Sequence, residues 1–477
     1  MSGHTTLAAL DAEPLLARGT TLVRRLGLRA RDRMAVVLGN EPSTFGVLAA
    51  ACLEGVVPVP LPPDLGPVEV GEVLADADPH VVLTSPATAG KLGNVPGRLE
   101  TLTPTEFAGL AGTDPDSAWP RTRPMAYTSG TTGRRKGVHV DVHDAAWGEA
   151  VIDDEHAAFD RRHGDTHLVV SPLYHSGPFR FALVTALLGG RIAVLPRFDA
   201  AAWSRALREV RPDSLFCVPT HLHRLFASSD DPADDLASLQ LLAHAGAPCP
   251  VRLKERVLDA APEGATWEFY GSTEGQFTTC PPGVWQSAPG TVGTARPGRR
   301  LEVRGDDGRV LAPGEVGTVW AHAPEHARFF YWGDPDKTAR AWDGDAFTVG
   351  DLGSLDADGR LFLSGRPGDL VITGGVNVYP AEVERHLLEQ PGVAEAAVFG
   401  VPDEDWGERL AAAVVGWPGA DLDGEVLRTT LAERLARAKV PKTVLVVDEL
   451  PRTATGKIRR ADHGLEALWE QHADGGA

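Results

Sequence analysis

Short apolar runs alternate along the first half of the chain with stretches whose apolar residues recur every three or four positions. Residues 34–38 form the first run and read as a buried strand. A helix follows from Ser43, with Phe45, Leu48, Ala49, Cys52 and Leu53 on one face. Strands are expected at 56–60 and 81–84, with a helix at 68–77 between them. The alternation resumes with strands at 167–171, 191–195, 214–218 and 239–243 and helices at 179–188 and 201–210. Strands separated by helices predict parallel sheets covered by helices. From about Gly290 the texture changes to short strands between Gly-rich turns, such as 301–304 and 317–320, which predicts a small β-rich layer. Beyond Arg366 come strands at 370–372, 393–400, 410–415 and 443–447, with helices at 380–389 and 425–437. The tail after Arg460 carries no usable pattern. The expected fold class is α/β: a large N-terminal domain over residues 1–366, with two α/β subdomains and the β-rich layer, and a mobile α+β C-terminal domain over 367–477.

Composition adds limits. The 477 residues allow two or three domains, and 43% hydrophobic with 23% charged residues suits an ordinary globular protein. A formal charge of −19 argues against nonspecific nucleic-acid binding, so an anionic substrate would need a local basic site. Cys52, Cys217, Cys249 and Cys280 are scattered without metal-ligand spacing, and free thiols suit a reducing, cytoplasmic setting. No apolar run approaches the roughly 18 residues of a membrane span, and no signal-peptide pattern opens the chain.

The candidate chemistry centres on Thr128-Ser129-Gly130-Thr131-Thr132-Gly133-Arg134-Arg135-Lys136-Gly137, after an apolar, strand-like segment and before an amphipathic one. Glycines let a backbone turn tightly with its N–H groups inward, as a loop does around phosphate. Hydroxyls and three cations strengthen that reading, yet a Gly/Ser/Thr cluster after a strand also serves as a plain turn. Lys136 is followed by Gly137, so the loop is not a P-loop NTPase motif.

Further stretches settle the choice. Ser171-Pro172-Leu173-Tyr174-His175-Ser176-Gly177, His244-Ala245-Gly246-Ala247-Pro248 and Glu268-Phe269-Tyr270-Gly271-Ser272-Thr273-Glu274-Gly275 follow the loop. Val349-Gly350-Asp351-Leu352-Gly353, Gly365-Arg366, Gly374-Gly375-Val376-Asn377-Val378-Tyr379-Pro380 and Pro451-Arg452-Thr453-Ala454-Thr455-Gly456-Lys457 complete the series. In this order they resemble the signatures of the ANL adenylating superfamily, which includes acyl-CoA synthetases, peptide-synthetase adenylation domains and luciferases. The resemblance runs from roughly residue 15 to 460.

That resemblance implies a two-step ligase. A carboxylate attacks the α-phosphorus of ATP, giving an acyl-adenylate and pyrophosphate, and a thiol, usually that of coenzyme A, then takes the acyl group. By resemblance, Thr128, Ser129, Gly130, Thr131, Thr132, Gly133 and Lys136 form the phosphate loop, and Gly246, Ala247, Tyr270 and Gly271 belong to the nucleotide site. Thr273 would contact the α-phosphate and Glu274 would associate with Mg²⁺. Asp351 would accept hydrogen bonds from the ribose hydroxyls, with Arg366 beside it. His175 would stand next to the acyl carbonyl. Lys457 would follow the charge from carboxylate to α-phosphate, a task suited to a compact ammonium. Gly374 and Gly375 would line the tunnel for the thiol. Gly368 stands where the family's hinge is commonly Asp or Lys, and Arg135 replaces a usual proline. Handing the acyl group to a carrier-protein thiol or an amine, activating another oxyanion such as nitrite, and nucleotide binding without catalysis are the alternatives. Substrate walls are expected from 175–181, 218–223, 244–246 and 271–279. There Phe179 and Phe181 supply aromatic surface, and Arg180, His221, His223, His244 and Gln276 supply polar handles, which hints at a small or polar-substituted acid.

Overall fold

The computed structural model describes residues 7–128, 135–142, 144–373, 376–403, 407–452, 458–460 and 464–473. Two parallel sheets form its framework. In the first, Arg33–Val37 lies between Val57–Pro60 and Val81–Thr84, with Arg98–Thr101 at the edge, all parallel. The helix Pro42–Glu54 begins on a proline, whose missing N–H costs nothing in a first turn, and stops at Gly55 with φ +78°. Helix Ala12–Arg25 crosses it at backbone contact. A Cβ on Gly19 would lie 2.1 Å from the Gly46 carbonyl oxygen, so only glycine permits that approach.

The second sheet runs Leu10–Asp11, Arg191–Val194, Thr166–Val169, Ser214–Cys217, Leu241–His244, Thr266–Glu268. All are parallel except the antiparallel edge Leu10–Asp11. Its strands are apolar on both faces, as a sheet covered on both sides requires. One face sends Leu215, Cys217 and Leu242 against Leu253 and Val257 of helix Val251–Ala260. The other sends Phe216, Ala243 and Ala245 against Phe159, Phe181 and Phe269.

The Gly-rich loop begins and ends in an antiparallel pair, Ala126–Thr128 with Lys136–Val140, and Phe329–Tyr331 adds a third strand. The segment after the loop is therefore a strand first, and the helix Ala145–Phe159 comes only afterwards. The β-rich layer is antiparallel and built from Arg300–Arg304, Gly317–His322, Trp342–Asp343, Ala346–Phe347, Leu352–Leu355 and Leu361–Gly365.

Beyond residue 370 the chain makes its own sheet. Val376–Val378, Val371–Thr373, Gly407–Gly416 and Val393–Asp403 are antiparallel, and Thr443–Val446 joins parallel to Gly407–Gly416. Helices Pro380–Leu388 and Gly424–Ala432 bury Val383, Leu387, Leu427 and Leu431 on one face. The helix expected over 425–437 stops at Ala432. The tail, patternless as a sequence, contains helix Gly464–Ala473, whose Leu465 joins Phe399 and Leu450 in a core.

Candidate active site

In open parallel sheets, ligands gather beyond the carboxyl ends of the strands. Here those ends carry the residues singled out from the sequence. His175 immediately precedes helix Ser176–Leu187, one short loop beyond Thr166–Val169, and its ring meets Tyr174 edge-on at 4.5 Å. Val218 follows Ser214–Cys217, and Gly246 follows Leu241–His244. Gly246 has φ +89°, a backbone conformation that favours glycine, and its neighbour Ala247 is half-buried.

Tyr270 follows Thr266–Glu268 and opens a tight turn. Its amide donates to Thr278 Oγ1 at 2.9 Å, Gly271 bridges Gln276, and the Ser272 amide donates to the Gly275 carbonyl at 2.8 Å. Thr273 and Glu274 ride on this turn, half-buried. A Cβ on Gly275 would sit 2.5 Å from the Phe347 ring, so the turn is pressed onto the β-rich layer.

That layer supplies Asp351. Its Oδ2 accepts from the Tyr270 hydroxyl at 2.5 Å, and its Oδ1 accepts from Arg366 Nε at 2.7 Å. Burial, and then the Asp351 charge, hold the Tyr270 phenol far above its ordinary value, so it remains a donor. Gly365, with φ +118°, turns the chain into Arg366, and Gly368 in the following turn has open space around it.

A second chain of contacts starts at Glu274. Its Oε1 accepts from the Tyr331 hydroxyl at 2.9 Å, and the Lys337 ammonium lies 3.9 Å above the Tyr331 ring. Asp334 caps helix Pro335–Ala341 by accepting the Lys337 amide at 3.0 Å, and its other oxygen takes Lys136 Nζ at 2.9 Å. The hydrogen bond from Lys136, then that from the Lys337 amide, hold the Asp334 carboxyl below its usual range. The charge of Glu274 is felt at Tyr270 and that of Arg366 at Tyr331, so the two groups share one field.

The structure thus brings together Tyr270, Gly271, Thr273, Glu274, Asp351, Arg366 and Lys136, with His175, Gly246 and Ala247 on the same rim. Thr128 ends its strand opposite Lys136. Ser129, Gly130, Thr131, Thr132, Gly133, Gly374, Gly375 and Lys457 lie outside the described residues. Tyr331, Asp334 and Lys337 were given no role from the sequence, although Asp334-Pro335 is a helix-start pattern that could have placed the cap.

Several expected substrate handles turn out to serve the protein. Arg180 Nε lies 3.1 Å from Glu155, His244 Nε2 lies 2.5 Å from Lys254 Nζ, and His223 stacks on Trp417 at 4.3 Å. Phe179 packs towards Phe45, away from the Phe181–Phe216 stack. Gln276 differs. It is 4% exposed, and neither amide atom has a hydrogen-bond partner among the described residues.

Among the described residues no three His, Cys, Asp or Glu side chains group as metal ligands. A single hard carboxylate, Glu274, fits a Mg²⁺ ion held mainly by phosphate oxygens and water rather than by a protein cage. All four cysteines are free thiols, and no described helix is long and apolar enough to cross a membrane.

Residues 16–331 match the family model of AMP-binding enzymes, and residues 382–457 match that of the AMP-binding enzyme C-terminal domain. The chain belongs to this adenylate-forming superfamily. It is an AMP-forming acid–thiol ligase. Among its relatives, an indoleacetate–CoA ligase of Aromatoleum aromaticum is 32% identical, covering 94% of this chain and 91% of that one. A feruloyl-CoA synthase of an Amycolatopsis species is 33% identical, covering 96% and 94%. Among solved structures, ATP-bound MatB from Rhodopseudomonas palustris superposes on the ligase with a TM-score of 0.82 at 29% identity, covering 97% of this chain and 93% of that one. The apo form of the same MatB, over the same coverage and at the same identity, gives 0.75.

Proposed function

We propose that this site activates a carboxylic acid with ATP and transfers the acyl group to coenzyme A, releasing AMP and pyrophosphate, and that the residues gathered here divide the work. The observation that carries the reading is Asp351, whose two oxygens face Tyr270 and Arg366 at the carboxyl end of the second parallel sheet. An acceptor-only carboxylate fixed in this way suits a vicinal diol such as ribose. Gly246, Ala247, Tyr270 and Gly271 frame the nucleotide, and Arg366 adds to the ribose contact. Thr128 to Gly133, with Lys136, grip the β- and γ-phosphates, and Thr273 faces the α-phosphate. Glu274 would hold Mg²⁺, which supplies charge neutralisation on the phosphates when bound.

The first step crowds a carboxylate against a triphosphate, so fixed cations and donors must offset charge that moves onto the leaving group. Lys457 is the cation assigned to the α-phosphate side and Lys136 the one assigned to the leaving group. His175 orients or gates the acyl carbonyl. Gln276 offers a buried amide to a polar group on the acid, because an orphan amide there is costly unless a ligand satisfies it. In the second step the domain beyond residue 366 turns about Gly368, and Gly374 and Gly375 let the pantetheine arm pass the backbone. The free thiols agree with a reducing cytoplasm.

A panel of acids assayed for pyrophosphate release, with and without coenzyme A, tests the reading. The expected result is acid-dependent release and an acyl-CoA product. Acyl-adenylate formed without any thioester to coenzyme A would shift the acceptor to a carrier-protein thiol or an amine. Absence of acid-dependent release across the panel would overturn the reading.

A further inference from the structure

Trp417 follows strand Gly407–Gly416 of the C-terminal sheet, yet its indole packs against the core of the second parallel sheet. It stacks on the His223 imidazole, with ring centroids 4.3 Å apart and planes 25° from parallel. The Arg256 guanidinium stands 4.8 Å from the Trp417 ring and 4.8 Å from Phe226. The indole is therefore clamped between helix Pro219–Ser228, which carries His223 and Phe226, and helix Val251–Ala260, which carries Arg256. Its own backbone is set: the Trp417 amide donates to the Gly392 carbonyl at 2.8 Å, and its carbonyl accepts from Ala420 at 2.8 Å.

A second contact reaches the same helix. Arg452 Nη1 donates to Thr220 Oγ1 at 3.3 Å, and the other terminal nitrogen of Arg452 pairs with Glu395. Thr220 and His223 are three residues apart and share a helix face. Arg452 also bridges Ile458, and these two residues bracket the segment that contains Lys457. Helix Pro219–Ser228 starts at the carboxyl end of strand Ser214–Cys217, on the rim of the site. The base of the lysine segment is thus moored to the helix that borders the acid's binding region.

We propose that Trp417, clamped by His223 and Arg256, is a positioning residue that docks the C-terminal domain for adenylation and must leave its slot before thioester formation. The proposal rests on the two half-reactions assigned above. Stacking and cation–π contacts of this kind are individually modest, which suits a latch that releases in every cycle. The bulk of the indole supplies the fit, and the short 417–420 turn supplies the aim.

The test separates the half-reactions in the full-length enzyme. Trp417→Ala should lower acid-dependent ATP–pyrophosphate exchange about tenfold or more, in line with the loss of a stack and a cation–π contact. Thioester formation from separately prepared acyl-adenylate and coenzyme A should stay at or above the wild-type rate. Trp417→Phe should restore most of the exchange. His223→Leu, a change on the other side of the contact, should give the same split in milder form. Equal loss in both half-reactions, or no change in either, would overturn the proposal. A wild-type enzyme that exchanges pyrophosphate with no acid would sink the reading of the reaction instead. In that case small-angle scattering still decides about the latch: Trp417→Ala must increase the radius of gyration, and an unchanged radius refutes the docking role.

Discussion

The hydroxyl of Tyr270 donates to Asp351 at 2.5 Å, tying the end of a parallel strand to an antiparallel layer some eighty residues further along the chain. The bond fixes one carboxylate oxygen and leaves the group poised as an acceptor. Asp351→Asn replaces an acceptor by a donor at that point and should weaken ATP binding about 100-fold. Tyr270→Phe keeps the ring and removes one charge-assisted bond, so a loss of about tenfold is expected. Calorimetric titration with ATP distinguishes the two. Unchanged affinity in Asp351→Asn would remove the residue from the nucleotide site.

Glu274 makes a different prediction. Its carboxylate accepts from the Tyr331 hydroxyl, and the Lys337 ammonium lies over the Tyr331 ring. Burial lowers the Lys337 pKa and the charge of Glu274 opposes that shift, so the carboxylate helps keep the ammonium charged. Glu274→Gln should reduce the rate of pyrophosphate release about 100-fold or more, the scale of losing a preorganised electrostatic group. The KM for the acid should move little. Tyr331→Phe, which frees the carboxylate without neutralising it, should cost about tenfold. If the two variants were equally impaired, orientation rather than charge would be the role of Glu274.

Much of this architecture was legible in the sequence because apolar runs and Gly-rich turns report local structure directly. Residues 34–38 and 214–218 read as strands from their apolar runs, and the structure has buried strands there, Arg33–Val37 and Ser214–Cys217. What could not be read were side-chain directions and contacts across distant segments. Phe179 and Phe181 look alike in sequence, but two helical positions differ by about 200°, so one packs towards Phe45 and the other on Phe216. His244 looked like a substrate handle because nothing local reveals Lys254 ten residues on, buried against it. The pairing of Lys136 with Asp334 spans almost two hundred residues and depends on a three-stranded sheet whose register no motif announces. The helix Gly464–Ala473 was missed although Leu465, Leu468 and Trp469 stand at helical spacing, because so short a segment does not reveal the core of Phe399 and Leu450 that it packs on.

The role proposed for Lys457 makes a prediction that separates binding from chemistry. Lys457→Ala should cut acid-dependent pyrophosphate release by orders of magnitude while ATP binding persists, because the contacts proposed for the nucleotide are those of Asp351, Arg366 and the phosphate loop. Lys457→Arg should recover little, since a planar guanidinium does not replace a compact ammonium that follows moving charge. Release near the wild-type rate in Lys457→Ala would exclude it from the mechanism.

Glu268 is a buried acid next to the turn that Tyr270 opens, and its titration should be visible in stability. Its carboxyl lies 3.6 Å from Lys254 Nζ, and His244 and Cys280 adjoin it. Burial raises the Glu268 pKa to about 7, and the attraction of Lys254 offsets only part of that cost. The neighbouring His244 is held well below its ordinary value by burial, then by Lys254, and adds no charge. Burial also pushes the Cys217 and Cys280 thiols up, with that of Cys280 at about 12, so neither ionises in the relevant range. In the unfolded chain a glutamate titrates near 4.3. Between that value and about 7 the folded protein keeps a proton that the unfolded chain has lost. The contribution of Glu268 to stability is therefore fully present below about pH 4.3 and declines as pH rises towards 7, by at most about 3 kcal/mol. Glu268→Gln should remove this slope. In urea unfolding between pH 5 and 7.5, wild type should lose stability relative to Glu268→Gln as pH increases. Lys254→Met, which deletes the one cation opposing burial, should move the decline to higher pH. Parallel pH profiles for wild type and Glu268→Gln would show that Glu268 titrates as in water, and the buried triad would then have no part in the stability of the turn.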